Sequence, residues 1–181
     1  MNGTALRSIL AIDASKNGCG WAWGMPEGKP VSGVERLARE GGVDDDVFGR
    51  GIVWLTKMIG AMSPAIVAIE APIKASGGGN TNPASQAMLL GLQGALRGVV
   101  ALKLPAPAVL VPSATARKTF TGRGTYATGE AKEAVQRECI ARGWLSPEDM
   151  QPDRADAICL WCHMAAQQIP MLAHGRPRKA A

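Results

Sequence analysis

The apolar residues of this chain gather in short runs and helical stripes, and two of the runs end on a lone carboxylate. Ile9-Leu10-Ala11-Ile12 is a continuous apolar run that stops at Asp13. Asn17 and Gly18 supply turn chemistry, and Cys19-Gly20-Trp21-Ala22-Trp23 reads as the returning strand of a hairpin. The pattern predicts strands over 7–13 and 18–25, and a third over 31–39 after the turn around Pro26 to Pro30. Short connections between the three favour an antiparallel meander. Gly41 and Gly42 break the sheet. Asp44, Asp45 and Asp46 then sit where a helix begins, capping it and complementing its dipole. Phe48, Ile52, Leu55, Ile59 and Met62 recur at helical spacing, which predicts a helix over 47–61 ended by Ser63-Pro64.

Ala65-Ile66-Val67-Ala68-Ile69 is a second continuous apolar run, suited to a central strand covered on both faces, and it delivers Glu70 to its end. The following KASGGGNTNP segment has no Gly-Lys-Ser/Thr and is therefore not a phosphate-cradling loop. It reads as a plain linker or as a substrate-facing loop beside Glu70. A long helix over 85–103 carries Met88, Leu89, Leu92, Leu96 and Val99 inward. Its glycines, Gly91, Gly94 and Gly98, lower helix propensity but permit close packing against the sheet or a partner subunit. A short last strand is expected over 105–111. From Ser113 to Lys132 the chain is basic and turn-rich, with cations, hydroxyls and glycine amides that suit phosphate oxygens, although a solvated basic loop looks the same. A helix over about 130–142 follows, and Ser146-Pro147-Glu148-Asp149 resembles a helix-start box. The final helix starts at Pro152-Asp153-Arg154-Ala155-Asp156. Asp153 and Asp156, three apart, project from one face, although Asp153 as cap and Asp156 as an ordinary first-turn acid fit too.

At 181 residues, 46% hydrophobic and 19% charged, the chain fits one globular domain over 1–170, followed by a basic tail over 171–181. The net charge of +5 tilts the expected partner toward polyanions. The first apolar run is short and leads directly into the hairpin, so neither a secretory signal nor a membrane span is expected, and a bacterial or phage-encoded cytoplasmic protein is. Cys19, Cys139, Cys159 and Cys162 show no disulfide framework. Cys159-Leu-Trp-Cys162-His163 matches the haem-attachment pattern, but it lies within a helical stretch, so buried thiols beside Trp161 are expected and no haem.

A buried strand ending in an unpartnered carboxylate is unfavourable, and two such strands plus Asp153 and Asp156 invite one explanation. Asp13, Glu70, Asp153 and Asp156 make a plausible four-carboxylate cluster whose hard oxygens select Mg2+, with Mn2+ as a substitute. Two such ions about 3.5 to 4 Å apart clamp a phosphodiester. Without metal, four neighbouring acids repel one another.

In these residues the chain resembles a known family. ILAIDASKNGCGWA looks like the first motif of the RuvC Holliday-junction resolvases, VAIEAP is similar to their strand ending in a catalytic glutamate, and DRADAICLWCHMA resembles their closing D-x-x-D-A helix. The three occur in order from Ser8 to Ala166. The resemblance implies a ribonuclease H-like fold, a five-stranded mixed sheet with its first three strands antiparallel and flanked by helices. It implies Asp13, Glu70, Asp153 and Asp156 as metal-binding acids, and places Arg117 or Lys118, and Lys132, at DNA- or phosphate-contacting positions. Apart from the resemblance, DNA contacts are also expected at Arg117, Lys118, Arg123, Lys74 and Asn80, and Lys132 is expected to be catalytic. It further implies a homodimer that nicks two opposed strands of a four-way junction in DNA recombination and repair, leaving 5'-phosphate and 3'-hydroxyl ends. Where typical bacterial members carry an aromatic residue shortly after the glutamate, this chain has Ile73, which resembles divergent, phage-like members acting on a wider range of branched DNA.

On this reading Asp13 bridges both metals, Glu70 holds one, Asp153 and Asp156 complete the shell, and Lys132 steadies the scissile phosphate or the water. Three other readings share features with it: a branched-DNA binder without catalysis, a ribonuclease H acting on RNA:DNA hybrids, and an actin-like sugar kinase. The kinase reading lacks an adenosine motif and chain length for a second lobe.

Overall fold

In a computed structural model, residues 5–72 and 82–173 of the chain are described. Ile73, Lys74, Asn80 and residues 174–181 of the tail lie outside them. Five strands form one mixed sheet: β1 (Ile9–Asp13), β2 (Cys19–Gly24), β3 (Val31–Glu35), β4 (Ile66–Glu70) and β5 (Val109–Val111). Their order is β3-β2-β1-β4-β5. The first three are antiparallel, and β4 and β5 run parallel to β1. Among the described residues five α-helices flank the sheet: α1 (Asp44–Met62), α2 (Pro83–Lys103), α3 (Ser113–Thr121), α4 (Glu130–Ala141) and α5 (Pro152–Gln168). This is the mixed sheet that the sequence resemblance implies.

Strand alternation divides the molecule into two cores. Leu10 and Ile12 of β1 and Val67 and Ile69 of β4 face α1 and α2. Ile9, Ala11 and Ala68 face α5, with α3 and α4 behind it. The α5 side of the sheet carries little bulk, because Gly20, Ala22 and Gly24 alternate with Cys19, Trp21 and Trp23 on β2. A Cβ added at Gly20 would lie 1.9 Å from the Asp153 carbonyl oxygen, and one at Gly24 only 3.7 Å from the Trp161 ring. The sheet therefore admits α5 at close range, and ten of its residues are buried, including Trp161 at 0% exposure. Arg142 braces the same core: its guanidinium donates to the Phe120 and Leu172 carbonyls at 3.1 and 2.9 Å, pairs with Glu138, and stacks on Phe120 and Trp144.

Several expectations are corrected. The third strand stops at Glu35 rather than reaching residue 39. The N–H groups of Leu37 and Ala38 turn to donate to the Lys16 carbonyl in the first hairpin, which takes them off the ladder. The buried stripe of α1 is Val47, Gly51, Leu55 and Ile59, and Ile52 is exposed. Asp44 to Asp46 form the first turn of α1, and Asp46 accepts the Val43 N–H at 3.3 Å. Helix α2 starts at Pro83, capped by Asn82, two residues before the expected Ser85. The last strand covers only Val109 to Val111; Pro105 and Pro107 have no N–H to give to a ladder. Residues 113–121, expected as loop, form α3, whose Ala116 and Phe120 are buried four residues apart. Ser146 to Asp149 makes its box of hydrogen bonds as an isolated turn, because Pro152 starts α5 three residues later.

Trp161 of α5 and Trp23 of β2, which pack in different cores, differ in one respect that stability measurements can read. Trp161 donates its indole N–H to the Gly24 carbonyl, whereas the buried Trp23 indole N–H has no partner among the described residues. Trp161→Ala is expected to lose about 3–5 kcal/mol in urea denaturation. Trp23→Phe removes the orphaned donor and is expected to leave stability equal to or above that of the parent.

Candidate active site

The period of a strand decides where the acids point. Asp13 continues the Ile9, Ala11 side of β1, and Glu70 the Ile66, Ala68 side of β4, so both carboxylates leave the sheet toward α5. Since β1 and β4 are parallel neighbours, both stand at the same end of the sheet. Asp13 lies opposite Gly20 on β2, and Gly20 abuts the Asp153 backbone. Gly18 gives similar room, since a Cβ there would sit 2.1 Å from Asp153 Oδ2. The hairpin glycines are what let the first turn of α5 reach the strand acids. Asp153 is not the helix cap; Gln151 occupies that position, and Asp153 pairs with Lys132 of α4 at 3.8 Å.

The electrostatics record the convergence. Burial raises the Asp13 carboxyl well above its ordinary value, and the charge of Glu70, a side-chain hydrogen bond with Glu70, and the charges of Asp156 and Asp153 raise it further. Asp156 is pushed up to about 6 by burial first, with Lys132 and Arg117 pulling it down and Glu70 and Asp153 pushing it up. A void of about 40 Å3 opens between Asp13, Glu70, Asp156 and Arg117, with Ser113 and Cys159 also on its wall. That is room for roughly two or three water-sized particles. The donors offered are carboxylate oxygens, which suit a hard divalent cation. As placed, Asp13 and Glu70 lie beside each other on the void, with Asp156 on its wall and Asp153 next to it. No three His, Cys, Asp or Glu side chains among the described residues stand ready as a metal-ligand set.

The basic residues separate into two groups. Arg117 lines the void and Lys132 pairs with Asp153, so both belong to the acid centre. Lys118 is exposed on α3 next to it, and Arg123 stacks over the Tyr126 ring, 5.1 Å from its centroid, away from the void. Lys74 and Asn80 lie outside the described residues. Burial drives the Cys139 thiol up to about 12 and Cys159 well above the usual thiol range, and Cys162, also buried, completes a set of inward thiols around Trp161. His163 of the C-x-x-C-H pattern bonds Thr119 Oγ1 through Nδ1 at 2.8 Å.

Sequence reading missed two contributors. Ser113 opens α3 onto the void, hidden in what read as a loop. Gln93, 7% exposed, donates to the Glu70 carbonyl at 2.8 Å and fixes the end of β4. A lone amide on the apolar face of α2 was its signal. A larger cavity, of about 510 Å3, lies at the other end of the sheet between Arg7, Ile66, Val109 and Gln168, remote from the acids.

No protein-family model matches the chain, and no curated protein matches it in sequence. Solved structures do match. RuvC of Thermus thermophilus in complex with a Holliday junction substrate superposes with a TM-score of 0.69 at 16% identity, over 92% of this chain and 98% of that one. The chain has a RuvC-like resolvase fold. A second Thermus thermophilus RuvC structure gives a TM-score of 0.64 at 17% identity, over 90% of this chain and 96% of that one. The yeast mitochondrial Holliday junction resolvase Ydc2 gives 0.62 at 14% identity, over 93% and 81%. The RuvC-like fold thus extends over nearly the whole chain. Among the described residues no helix is long and apolar enough to cross a membrane.

Two outcomes test the site. Gly20→Ala is expected to push the α5 first turn off β2 and lower stability by about 1–3 kcal/mol, read by urea denaturation. In metal-free buffer, folded Asp156 keeps its proton up to about pH 6, whereas the unfolded carboxyl releases it near 3.8. Between those values the folded state binds the extra proton, so the Asp156 contribution to stability is present below about 3.8 and lost as pH rises to about 6. The melting temperature of Asp156→Asn should accordingly gain on the parent across that interval, and the gain should level off above it.

Proposed function

We propose that this chain is a divalent-metal-dependent endonuclease that nicks four-way junctions or related branched DNA as a homodimer. One observation carries the reading: Asp13 and Glu70 end neighbouring parallel strands and line one void with Asp156 and Arg117, beside which Asp153 pairs with Lys132. Asp13, Glu70, Asp153 and Asp156 would hold Mg2+, or Mn2+ in its place. A bound pair of such ions supplies activation of water and neutralisation of charge on the leaving oxygen. Arg117 and Lys132 bring cations to the acids and give a scissile phosphate its counter-charges. The surrounding Ala116 and Leu160 restrict bulk water at the void. Asp13 must be ionised to serve as a ligand, and its three acidic neighbours make it take up a cation readily once one is present.

Branched DNA as substrate draws support from the fold, which is shared with a RuvC bound to a Holliday junction substrate, and from the net charge of +5. Lys118 and Arg123 extend the basic surface beyond the void as further phosphate contacts, and Lys74 and Asn80 are proposed to add to it. The homodimer draws support from α2. Leu90, Gly94, Gly98 and Leu102 recur every four residues; Leu90 is 55% and Leu102 85% exposed, and nothing lies within 4 Å of a Cβ at Gly94 or Gly98 among the described residues. Gly91 differs, since the Phe48 ring fills its space. An outward ridge of that shape suits a second copy of itself. A catalytically inactive branched-DNA binder is the second reading, favoured by the absence of a ready three-ligand set among the described residues.

A panel of labelled four-way junction, flap, duplex and RNA:DNA hybrid, with Mg2+ or Mn2+, separates these readings. Nicking of the junction is expected, and Asp13→Asn should keep junction binding while losing on the order of 10^3-fold or more in rate. Full activity in that variant would end the proposal, tight junction binding without cleavage of any substrate would favour the inactive binder, and preferential cleavage of the hybrid would identify a ribonuclease H. Leu90→Glu is expected to shift the chain from dimer to monomer in sedimentation velocity.

A further inference from the structure

A second basic surface lies around the sheet edge from the acids. The chain leaving β3 and the outer side of α1 enclose a groove of about 480 Å3. Arg39, Arg50 and Lys57 line it as cations, with Glu35 as the one carboxylate and Trp54 between Arg50 and Lys57. Arg50, Trp54 and Lys57 stand four and three residues apart on α1, so they share one side of the helix. None of the three cations forms an ion pair among the described residues. Trp54 is half-buried, packed at its base on the α1–α2 core and open toward the groove. Cations flanking an accessible aromatic ring are the combination that holds an unpaired nucleic-acid strand, with phosphates on the cations and a base on the ring.

The groove lies at the same end of the sheet as the acid centre, with no lining residue in common. Glu35, at its upper end, pairs with Cys19, and Asp13 pairs with Gly20, so along the backbone the groove mouth lies two strands from Asp13, about 10 Å across the sheet end, but it opens on the α1–α2 face of the sheet and the acids on the α5 face, so a strand joining them passes around the sheet end. The turn carrying Lys16 spans that interval and is tied to the groove floor by the Lys16 carbonyl, which accepts from Leu37 and Ala38 at 3.2 and 2.8 Å. From Arg50 to Lys57 the helix rises about 10 Å, the length of about three stacked nucleotides.

We propose that the β3–α1 groove binds single-stranded DNA, a few nucleotides long, as it leaves the acid centre, with Arg39, Arg50 and Lys57 on the phosphates and Trp54 stacked on a base. The proposal rests on the reading of the chain as a branched-DNA nuclease and adds to it a preference for substrates carrying an unpaired strand. Such a preference distinguishes flaps and gapped junctions from fully paired four-way junctions.

The test is fluorescence anisotropy in EDTA, so that binding is scored without cleavage. The probes are a short labelled oligothymidylate, a blunt four-way junction, and the same junction with one arm extended as a single strand. The parent protein should bind the extended junction about tenfold tighter than the blunt one. In Arg50→Gln/Lys57→Gln that ratio should fall to about one, and the salt slope for oligothymidylate should drop by about 1.4, since each phosphate contact on a single strand contributes about 0.7. Trp54→Leu should weaken oligothymidylate about tenfold, and Trp54→Phe should restore most of the loss. Far-UV circular dichroism and melting confirm that each variant is folded. Equal affinity of the parent for both junctions, an unchanged salt slope in the charge variant, or identical behaviour of the two Trp54 variants would overturn the proposal. Tighter binding of oligouridylate than of oligothymidylate would overturn it in favour of RNA. Failure of the nuclease reading shows separately, as groove binding that persists while no substrate is nicked.

Discussion

The close approach of α5 to the hairpin face of the sheet is the constraint on which the rest depends. A helix normally lies about 10 Å from a sheet because side chains fill the gap. Here β2 offers Gly20, Ala22 and Gly24 on that side, β1 offers Ala11, and α5 answers with the Asp153 backbone and Ala157. The backbone of Asp153 meets the place where a Gly20 Cβ would stand. Nothing in this contact is itself chemical. Its effect is to bring the first turn of a helix, with two carboxylates on it, to the end of two parallel strands that each carry one more.

The resulting centre is unfavourable as a purely structural device. Burial and three acidic neighbours act together on Asp13, and the two cations that relieve Asp156 do not offset its desolvation. A fold selected for stability alone would place apolar residues at those strand ends, since a buried repelling pair is weaker than well-packed hydrophobic groups. The hydrophobic parts of the same elements show no such conflict: Ile9, Leu10, Ile12, Val67, Ala68 and Ile69 are all at or below 2% exposure. Local disagreement between packing and charge, confined to one end of the sheet, is what marks that end as functional.

Much of this was legible in the sequence, and for physical reasons. Continuous apolar runs of four or five residues bounded by turn signals suit central strands, so β1 and β4 and their terminal acids were readable, and period two fixes the face each acid takes. The closing helix was readable because Asp153 and Asp156 sit three apart ahead of a long apolar stretch. What was not legible depends on tertiary context. Helix α3 was hidden because its glycine and threonine neighbours read as loop, and only the burial of Ala116 and Phe120 by α5 makes it a helix. Ile52 fitted the helical period of α1 as well as Gly51 did; the choice was made by Leu92 and Leu96 of α2, which pack on Gly51 at 3.0 and 3.5 Å from a would-be Cβ. The third strand ended early because the Lys16 carbonyl offered its backbone a different partner.

The same alternation that gathers the acids also assigns the two faces of the sheet to different work. On the α5 side the packed helix closes over the sheet, leaving the void at the acid ends of β1 and β4 and the cavity by Gln168 at the opposite end. On the α1–α2 side, α2 keeps the Leu90 to Leu102 ridge outward and α1 keeps Arg50, Trp54 and Lys57 along the open edge of β3. These surfaces occupy separate helices and do not compete for the same side chains. A second copy on α2 would therefore leave the β3 edge and the acid end of the sheet uncovered in each protomer. The position of the groove relative to the acids is thus a consequence of strand order: β2 and β3 lie on one flank of β1, with the groove cations beyond β3, and β4 and β5 lie on the other, with Arg117 of α3 following β5 onto the void.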